Sequence, residues 1–303
     1  NPEVIDPLQY PAGDIPPPLE GSFQVLPKFE QAKLDGIEPL SSVYAGHQFG
    51  YFVPQLGDGR SCLIGEANGY ELSLKGAGTT PYSRGADGRA VLRSSIREYL
   101  CSIAMEGLNI PTTKALAIVA SDTDVYREHV ESGAIVTRAA KSHIRFGHFE
   151  LFASRRQTAE VKKLADFVID HYYPQLKGKD SYLQLFKTVI LSTAVMIARW
   201  QAQGFAHGVM NSDNMSILGL TIDYGPFSFM ETYNPSFICN HSDHQGRYSF
   251  ERQPSVALWN LDRLANAIRS LIDETHLKDA LAEYEGFLVK EYSALMRQKF
   301  GLV

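Results

Sequence analysis

Residues 207–214 read His-Gly-Val-Met-Asn-Ser-Asp-Asn, and residues 223–225 read Asp-Tyr-Gly. Asn214 offers an amide oxygen and Asp223 a carboxylate, and hard oxygen atoms of this kind are the ligands that Mg²⁺ prefers. Asp213, directly before Asn214, supplies a second carboxylate. The stretch therefore predicts a magnesium site beside a carboxylate that can accept a proton from an attacking hydroxyl.

The order of these residues is that of protein-kinase-like enzymes, which have an H-x-D-x-x-x-x-N loop followed by D-F-G. His207 and Asn214 keep the required spacing, but Val209 replaces the usual catalytic carboxylate. The apolar run 217–222 is predicted to form hairpin strands that anchor both metal ligands, and His207 is interpreted as a structural hydrogen-bonding residue. The alternative is two unrelated turns, one of them capped by Asp213. His207, Asn214 and Asp223 occur in the kinase-like order after a long predicted helix, which favours a functional loop.

The distribution of proline, strands and helices predicts an α+β, protein-kinase-like bilobal fold, with a β-rich N-lobe and a mainly helical C-lobe around a cleft. Residues 1–40 are predicted to be an extended Pro-rich arm, residues 41–150 the N-lobe and residues 151–303 the C-lobe. Alternation and apolar composition predict strands at 51–53, 62–64, 71–75, 116–119 and 134–137. Helical periodicity predicts helices at 89–105, 158–171, 182–203, 255–272 and 277–299.

A lysine on a strand and a glutamate on the following helix form a second candidate cluster. Lys75 ends the predicted strand, and Glu98 lies on the flank of the predicted helix, beside its apolar stripe. In kinases a strand lysine paired with a helix glutamate positions the nucleotide phosphates. Taken alone, the two residues are equally compatible with a solvated lysine and a surface glutamate.

Glycine and arginine residues near these strands are candidates for nucleotide binding. Gly57, Gly59 and Arg60 lie in a turn between two strands, where backbone amides can approach phosphate. Asp-Gly is also a common hairpin turn, so this motif is weak alone. Arg138 and Arg145 lie near the predicted junction of the lobes, and their planar groups suit phosphate.

Asp87 and Gly88 precede the predicted helix that starts at Arg89. Asp is a favoured residue at a helix N-cap, so one interpretation of Asp87 is that it caps this helix. Its carboxylate can also accept hydrogen bonds from a base or a ribose, and the two roles are compatible.

Bulk properties exclude several classes of protein. A net charge of −5 without a long run of Lys or Arg argues against a nucleic-acid partner. Cys62, Cys101 and Cys239 lie far apart and form no C-x-x-C pair, so neither zinc nor a disulfide framework is predicted. The best apolar run, 188–200, is too short to span a membrane and contains Arg199. We therefore expect no membrane partner, and a cytoplasmic location in a bacterium or a mitochondrial one in a eukaryote.

Several motifs together resemble those of the selenoprotein O family: YAGHQFG at 44–50, QLGDGR at 55–60, KGAG at 75–78, PYSR at 81–84, the segment 87–98, SHIRFG at 142–147, the segment 207–229 and NHSD at 240–243. The resemblance implies a pseudokinase fold that binds ATP in the reverse orientation and transfers AMP to protein hydroxyls. It also implies a C-terminal segment with a Cys or selenocysteine, which this sequence does not reach, and a redox partnership with Cys239.

Residue by residue, the resemblance implies a proton acceptor at Asp213 and metal ligands at Asn214 and Asp223. Asp223 is also implied in nucleotide binding, and Glu98 in pairing with Lys75. The other implied nucleotide-binding residues are Gly57, Gly59, Arg60, Lys75, Asp87, Gly88, Arg138 and Arg145. Attack at the α-phosphorus expels pyrophosphate, whose charge such a set of cationic side chains can stabilise.

Three functions are therefore open. The first is metal-dependent adenylyl transfer from ATP to Ser, Thr or Tyr of protein substrates, with UMPylation from UTP and Mn²⁺ as a variant. The second is a kinase that transfers the γ-phosphoryl group, against which Val209 argues. The third is an inactive nucleotide-binding scaffold, which has no need of a base beside the metal ligands.

Overall fold

The alternating segments of the first half form strands, as the sequence predicts, in a computed structural model that describes residues 38–302. The predicted arm at 1–40 lies almost wholly outside the described residues. The strands are β1 Val43–Gln48, β2 Tyr51–Gly57, β3 Ser61–Ala67, β4 Tyr70–Lys75, β5 Ala90–Val91, β6 Lys114–Tyr126, β7 Val130–Ala140, β8 Phe205–Ala206 and β9 Ser228–Phe229. The helices are α1 Leu92–Gly107, α2 Phe146–Ser154, α3 Thr158–Tyr172, α4 Ser181–Gln203, α5 Gln253–Ile268, α6 Glu274–Ala282 and α7 Tyr284–Lys299. The α+β class and the kinase-like mixture of elements are confirmed.

The chain forms two compact units. The first holds the described residues up to Val43 together with Leu56–His143, and the second holds Tyr44–Gln55 and the described residues from Ile144 onward. Residues 44–55, which were predicted to lie in the β-rich lobe, belong by their contacts to the second unit.

An antiparallel sheet forms the centre of the first unit. Its strand order is β3-β4-β7-β5, and β6 also pairs with β7. The register places Ser73 of β4 opposite Arg138 of β7, so Lys75 and Arg138 lie on neighbouring strands. Helix α1 packs against β6 and β7 and buries Glu98 at its sheet-facing side.

Helix α4 is the central helix of the second unit and packs against α5, α6 and α7. Its 23 residues make it long and apolar enough to cross a membrane. The run 188–200, which was predicted to be too short for this, is only part of the helix. Half of its most apolar window is buried inside the protein, however, which is the packing of a core helix. It ends at Gln203 and is followed by Gly204, whose left-handed backbone (φ 68°) is typical of a helix C-terminus.

Some predicted elements are wrong. Residues 217–222 do not form hairpin strands: Ile217 and Leu218 lie in a turn closed by the hydrogen bond from the Gly219 N–H to the Ser216 carbonyl at 3.1 Å, and the run contains only an isolated bridge at Thr221. The helix predicted from Arg89 starts at Leu92, because Ala90–Val91 pair with β7. The helix predicted at 277–299 is two helices, α6 and α7, and α2 was not predicted because it is short and mostly buried.

Candidate active site

Side-chain amides hold the loop that carries the candidate base and metal ligands, all within the second unit. Three successive loop carbonyls accept hydrogen bonds of 3.0 Å from asparagine Nδ2 atoms: Gly208 from Asn240, Val209 from Asn214 and Met210 from Asn260. Backbone carbonyls in an irregular loop need such donors when they are buried. The loop ends in a single 3₁₀ turn, Ser212–Asn214, which is wholly buried.

His207 has the structural role that the sequence predicts. Its Nε2 lies 2.8 Å from the Ile222 carbonyl, and its Nδ1 accepts from the Val209 N–H at 3.3 Å. This network assigns the proton to Nε2, and burial lowers the pKa of the imidazole. The ring also stacks on Trp200 with centroids 5.2 Å apart. His207 therefore ties the start of the loop to the residue before Asp223.

Arg145 brings both predicted metal ligands together. Its Nη1 donates to the Asp213 carbonyl at 3.0 Å and to Asn214 Oδ1 at 3.4 Å, and it lies 3.8 Å from Asp223 Oδ2. Because Asn214 Nδ2 is bound to the Val209 carbonyl, Oδ1 is directed to the side of Arg145 and Asp223. The two ligand oxygens are thus neighbours around one cationic group.

The donor set of Asn214 and Asp223 fits Mg²⁺ or Mn²⁺ better than a soft transition metal. Both ligands are hard oxygens, and Mg²⁺ in nucleotide enzymes takes one or two protein ligands with phosphate oxygens and waters. Within residues 38–302, no group of three or more His, Cys, Asp or Glu side chains forms a complete metal site. Asp223 has a left-handed backbone (φ 65°), a strained conformation that functional sites often retain.

Asp213 is a buried carboxylate with two different oxygens. Oδ2 accepts from Gln48 Nε2 at 3.3 Å, whereas Oδ1 is buried and has no hydrogen-bond partner in the described part of the chain. Burial raises the pKa of Asp213 to about 6, against the opposing effects of Arg145 and Gln48. A carboxyl group with this pKa can accept a proton near neutral pH.

Sequence reasoning missed the role of residues 46–49, which contact this loop. The His47 N–H donates to Ser212 Oγ at 2.7 Å. The Phe49 N–H is shared between Asn211 Oδ1 at 3.3 Å and the hydroxyl of Tyr248 at 2.9 Å, and this hydroxyl itself donates to Asn211 Oδ1. The motif YAGHQFG was visible in the sequence, but nothing in one sequence shows which distant loop such a motif contacts.

A buried ion cluster in the first unit joins the strand lysine to the helix glutamate. Lys75 Nζ lies 2.5 Å from Glu98 Oε2, and Arg138 Nε bonds to Glu98 Oε1. The predicted pairing of Lys75 with Glu98 is confirmed. Burial opposes ionisation of Glu98, but Arg138 and Lys75 outweigh it and hold the pKa of Glu98 below its usual value. The carboxylate therefore stabilises the fold above its unfolded-state pKa, and this contribution is lost as the pH falls.

We expect Glu98→Gln to lower the free energy of unfolding by about 3 kcal/mol or more, because breaking a buried ion pair leaves uncompensated charge. Glu98 is only 3% exposed, so water cannot solvate the two cations in its place. Urea unfolding at neutral pH measures the change. The control is Glu131→Gln, which breaks the exposed pair of Arg93 and Glu131 in the same unit and should change stability little. Equal effects of the two variants would contradict the structural importance of Glu98.

In the glycine turn, which contains Gly57, Gly59 and Arg60, close packing requires the two glycines, apart from their predicted role in nucleotide binding. A Cβ at Gly57 would lie 2.5 Å from the Tyr82 ring, and a Cβ at Gly59 would lie 2.9 Å from the Tyr82 carbonyl. Arg60 is exposed beside this turn, and its carbonyl accepts from the Gly76 N–H at 2.7 Å. Close packing alone accounts for both glycines, and their contact with nucleotide stays a prediction.

Asp87 does not cap helix α1, and that prediction is wrong. Its Oδ1 accepts from the Arg89 N–H at 2.9 Å, ahead of β5, and its carboxylate pairs with Arg127 at 2.9 Å. The hydrogen bond from Arg127 lowers the pKa of Asp87. Gly88 has φ 66°, and a Cβ there would collide with the Gly78 carbonyl. The side chain of Asp87 is 40% exposed, so a ligand can still reach it.

Comparison with known proteins gives a consistent result. A model of the family described as "Protein adenylyltransferase SelO" matches residues 21–303. The chain is 59% identical over 278 residues to the protein nucleotidyltransferase YdiU of Klebsiella pneumoniae subsp. pneumoniae, covering 90% of the chain and 58% of that protein. It is 56% identical to the proteins of the same name from Thiobacillus denitrificans over 275 residues (89% and 56%) and Vibrio vulnificus over 287 residues (92% and 59%). The chain thus spans less than two thirds of the length of these relatives.

Proposed function

We propose that this chain, which belongs to the SelO family of protein adenylyltransferases, transfers AMP from ATP to Ser, Thr or Tyr hydroxyls of protein substrates and releases pyrophosphate. The family match agrees with the resemblance predicted from the motifs. Relatives named as protein nucleotidyltransferases support nucleotidyl transfer as the class of reaction.

The observation that carries the proposal is the set of contacts around Arg145. One guanidinium nitrogen approaches Asn214 Oδ1, Asp223 Oδ2 and the carbonyl of the candidate base, Asp213. A metal ion bound by Asn214 and Asp223 would neutralise charge on the phosphate oxygens. Arg145 donates to the same region, where it can stabilise negative charge that grows on the leaving pyrophosphate.

Asp213 acts as proton acceptor in this proposal. The acceptor hydroxyl oxygen bonds to the α-phosphorus, the bond from that phosphorus to the bridging oxygen of pyrophosphate breaks, and the hydroxyl proton passes to Asp213. Oδ1, which is buried and accepts no hydrogen bond from residues 38–302, is suited to receive it. Val209 occupies the position of the kinase carboxylate, and this favours nucleotidyl transfer over γ-phosphoryl transfer.

Lys75 and Arg138 are proposed to bind the phosphates of the nucleotide, each held in place by Glu98. A fixed cation loses less conformational entropy on binding than a mobile one, which favours preorganised phosphate recognition. Gly57, Gly59 and Arg60 in the glycine turn, and Asp87 with Gly88, are proposed as further nucleotide contacts.

Transfer of label from nucleotide to protein tests the proposed function. The chain is incubated with ATP labelled at the α- or the γ-phosphorus, with Mg²⁺ or Mn²⁺ and mixed protein acceptors, and covalent label is measured. Retention of the α-label alone is the expected result. Retention of the γ-label alone would identify a kinase, and no label under any condition would favour a scaffold. A parallel arm with α-labelled UTP and Mn²⁺ tests UMPylation.

A further inference from the structure

The two oxygens of the Asp213 carboxylate have different surroundings, and a side-chain amide contacts one of them. Gln48 Nε2 donates to Oδ2 at 3.3 Å, while Oδ1 is buried and has no partner among the described residues. A carboxylate that makes one lateral hydrogen bond is restrained in rotation about its Cβ–Cγ bond. The oxygen that faces away from the donor is then presented in one direction.

The backbone around Gln48 is itself fixed against the loop. On one side of Gln48, the His47 N–H donates to Ser212 Oγ at 2.7 Å, and on the other the Phe49 N–H donates to Asn211 Oδ1 at 3.3 Å. Neighbouring residues on both sides of Gln48 thus contact neighbours of Asp213. The Gln48 side chain begins from a backbone position that is set by the loop it contacts.

Two further contacts support this arrangement. His47 Nδ1 lies 2.5 Å from Oε2 of Glu150, a buried side chain of α2, which anchors the end of β1. A Cβ at Gly46 would lie 2.7 Å from both Cβ and Oδ1 of Asp213, so the absence of a side chain at Gly46 leaves space beside Oδ1. Asp213 therefore rests against bare backbone at Gly46 and is held by an amide at Gln48.

We propose that Gln48 is a positioning residue that orients the Asp213 carboxylate so that Oδ1, and not Oδ2, receives the proton of the acceptor hydroxyl. The proposal rests on the proposed function, in which Asp213 is the proton acceptor. An amide N–H can donate to Oδ2 before and after the proton arrives at Oδ1, so Gln48 keeps its contact throughout the step. Its contribution is to the rate of transfer and not to the affinity for nucleotide.

The test replaces Gln48 with Met, which keeps the length of the side chain and removes the donor. We expect the kcat for α-label transfer to fall about 10- to 100-fold, the range that misplacement of a catalytic group produces. The KM for nucleotide and the melting temperature should remain near the wild-type values. Gln48→Asn, whose amide is one methylene too short to reach Asp213, should show the same loss. The matched control is Gln55→Met in β2, whose amide oxygen bonds to Arg155 at 3.1 Å.

A double-mutant cycle separates positioning from a general structural effect. Adding Gln48→Met to Asp213→Asn should cause no further loss of kcat, because the group that Gln48 orients is already gone. An equal loss in both backgrounds, a wild-type rate for Gln48→Met, or a loss matched by Gln55→Met would overturn the proposal. If the wild-type chain transfers no label, the proposed function fails and the role of Gln48 fails with it. If the wild-type chain transfers label and Gln48→Met transfers it at the same rate, the proposed function stands and the positioning role alone is overturned.

Discussion

An Asp223→Ala variant is expected to lose nucleotidyl transfer by at least about 1000-fold, since it removes the one charged metal ligand in the proposed site. The remaining ligand, Asn214, contributes a neutral oxygen that cannot hold a divalent ion alone against water. The loss should be accompanied by loss of the Mg²⁺-dependent part of nucleotide affinity, measured by calorimetry with and without metal. This second measurement identifies the missing group as a metal ligand even where transfer is undetectable.

The backbone at Asp223 requires its own control, because alanine is disfavoured in the left-handed region that Asp223 occupies at φ 65°. Asp223→Gly removes the carboxylate without this strain and should lose transfer as fully as Asp223→Ala, with less loss of stability. Asp180→Ala places alanine at φ 60°, at an exposed position before α4, and should leave transfer unchanged. Transfer by Asp223→Gly at the wild-type rate would show that Asp223 is not a metal ligand.

Patterns among residues close together in the sequence predicted those features of the candidate site that depend on one strand, one helix or one loop. Alternation placed Lys75 at the end of a strand, and helical periodicity placed Glu98 beside an apolar stripe, and the two meet in a buried cluster. The structural role of His207 was likewise predictable from its position at the start of a kinase-like loop, and its ring nitrogens bond to the Val209 N–H and the Ile222 carbonyl.

Contacts between distant parts of the sequence were not predictable. Gln48 and Asp213 are 165 positions apart, and no periodicity or spacing in one chain encodes such a contact. The place of Tyr44–Gln55 in the helical unit was unpredictable for the same reason, because it depends on contacts with residues far away in the sequence. The interpretation of Asp87 as an N-cap failed for a different reason. Asp is favoured at an N-cap, but Ala90 and Val91 pair with β7, so helix α1 starts too far along the chain for Asp87 to cap it.

Replacing Asp213 with Asn is expected to reduce transfer about 100- to 10,000-fold, the range attributed to a positioned general base. Nucleotide affinity should remain near the wild-type value, because Asn keeps the shape of Asp213 and the backbone carbonyl that Arg145 binds is unchanged. The combination of a low kcat and an unchanged Kd distinguishes a base from a metal ligand. A single-turnover experiment with α-labelled ATP, at saturating nucleotide, measures the chemical step directly.

The dependence of the free energy of unfolding on pH gives an independent test of Asp213. Burial raises the pKa of Asp213 from 3.8 to about 6, so the folded state favours the protonated form. Any stabilisation from this group is present at low pH and is lost as the pH rises through 6, and above that pH the buried charge destabilises the fold. Without divalent metal at pH 8, Asp213→Asn should therefore unfold at or above the wild-type temperature.

Asp243 provides the contrasting carboxylate in the same unit. It is also buried, but its oxygens accept from the N–H groups of Arg247 at 2.9 Å and Tyr248 at 2.7 Å. Asp243→Asn replaces one acceptor with a donor and should lower the melting temperature, as expected for a carboxylate that stabilises the fold. If Asp213→Asn were destabilised like Asp243→Asn and still transferred AMP at the wild-type rate, Asp213 would be a structural residue and the proton acceptor would have to be sought elsewhere.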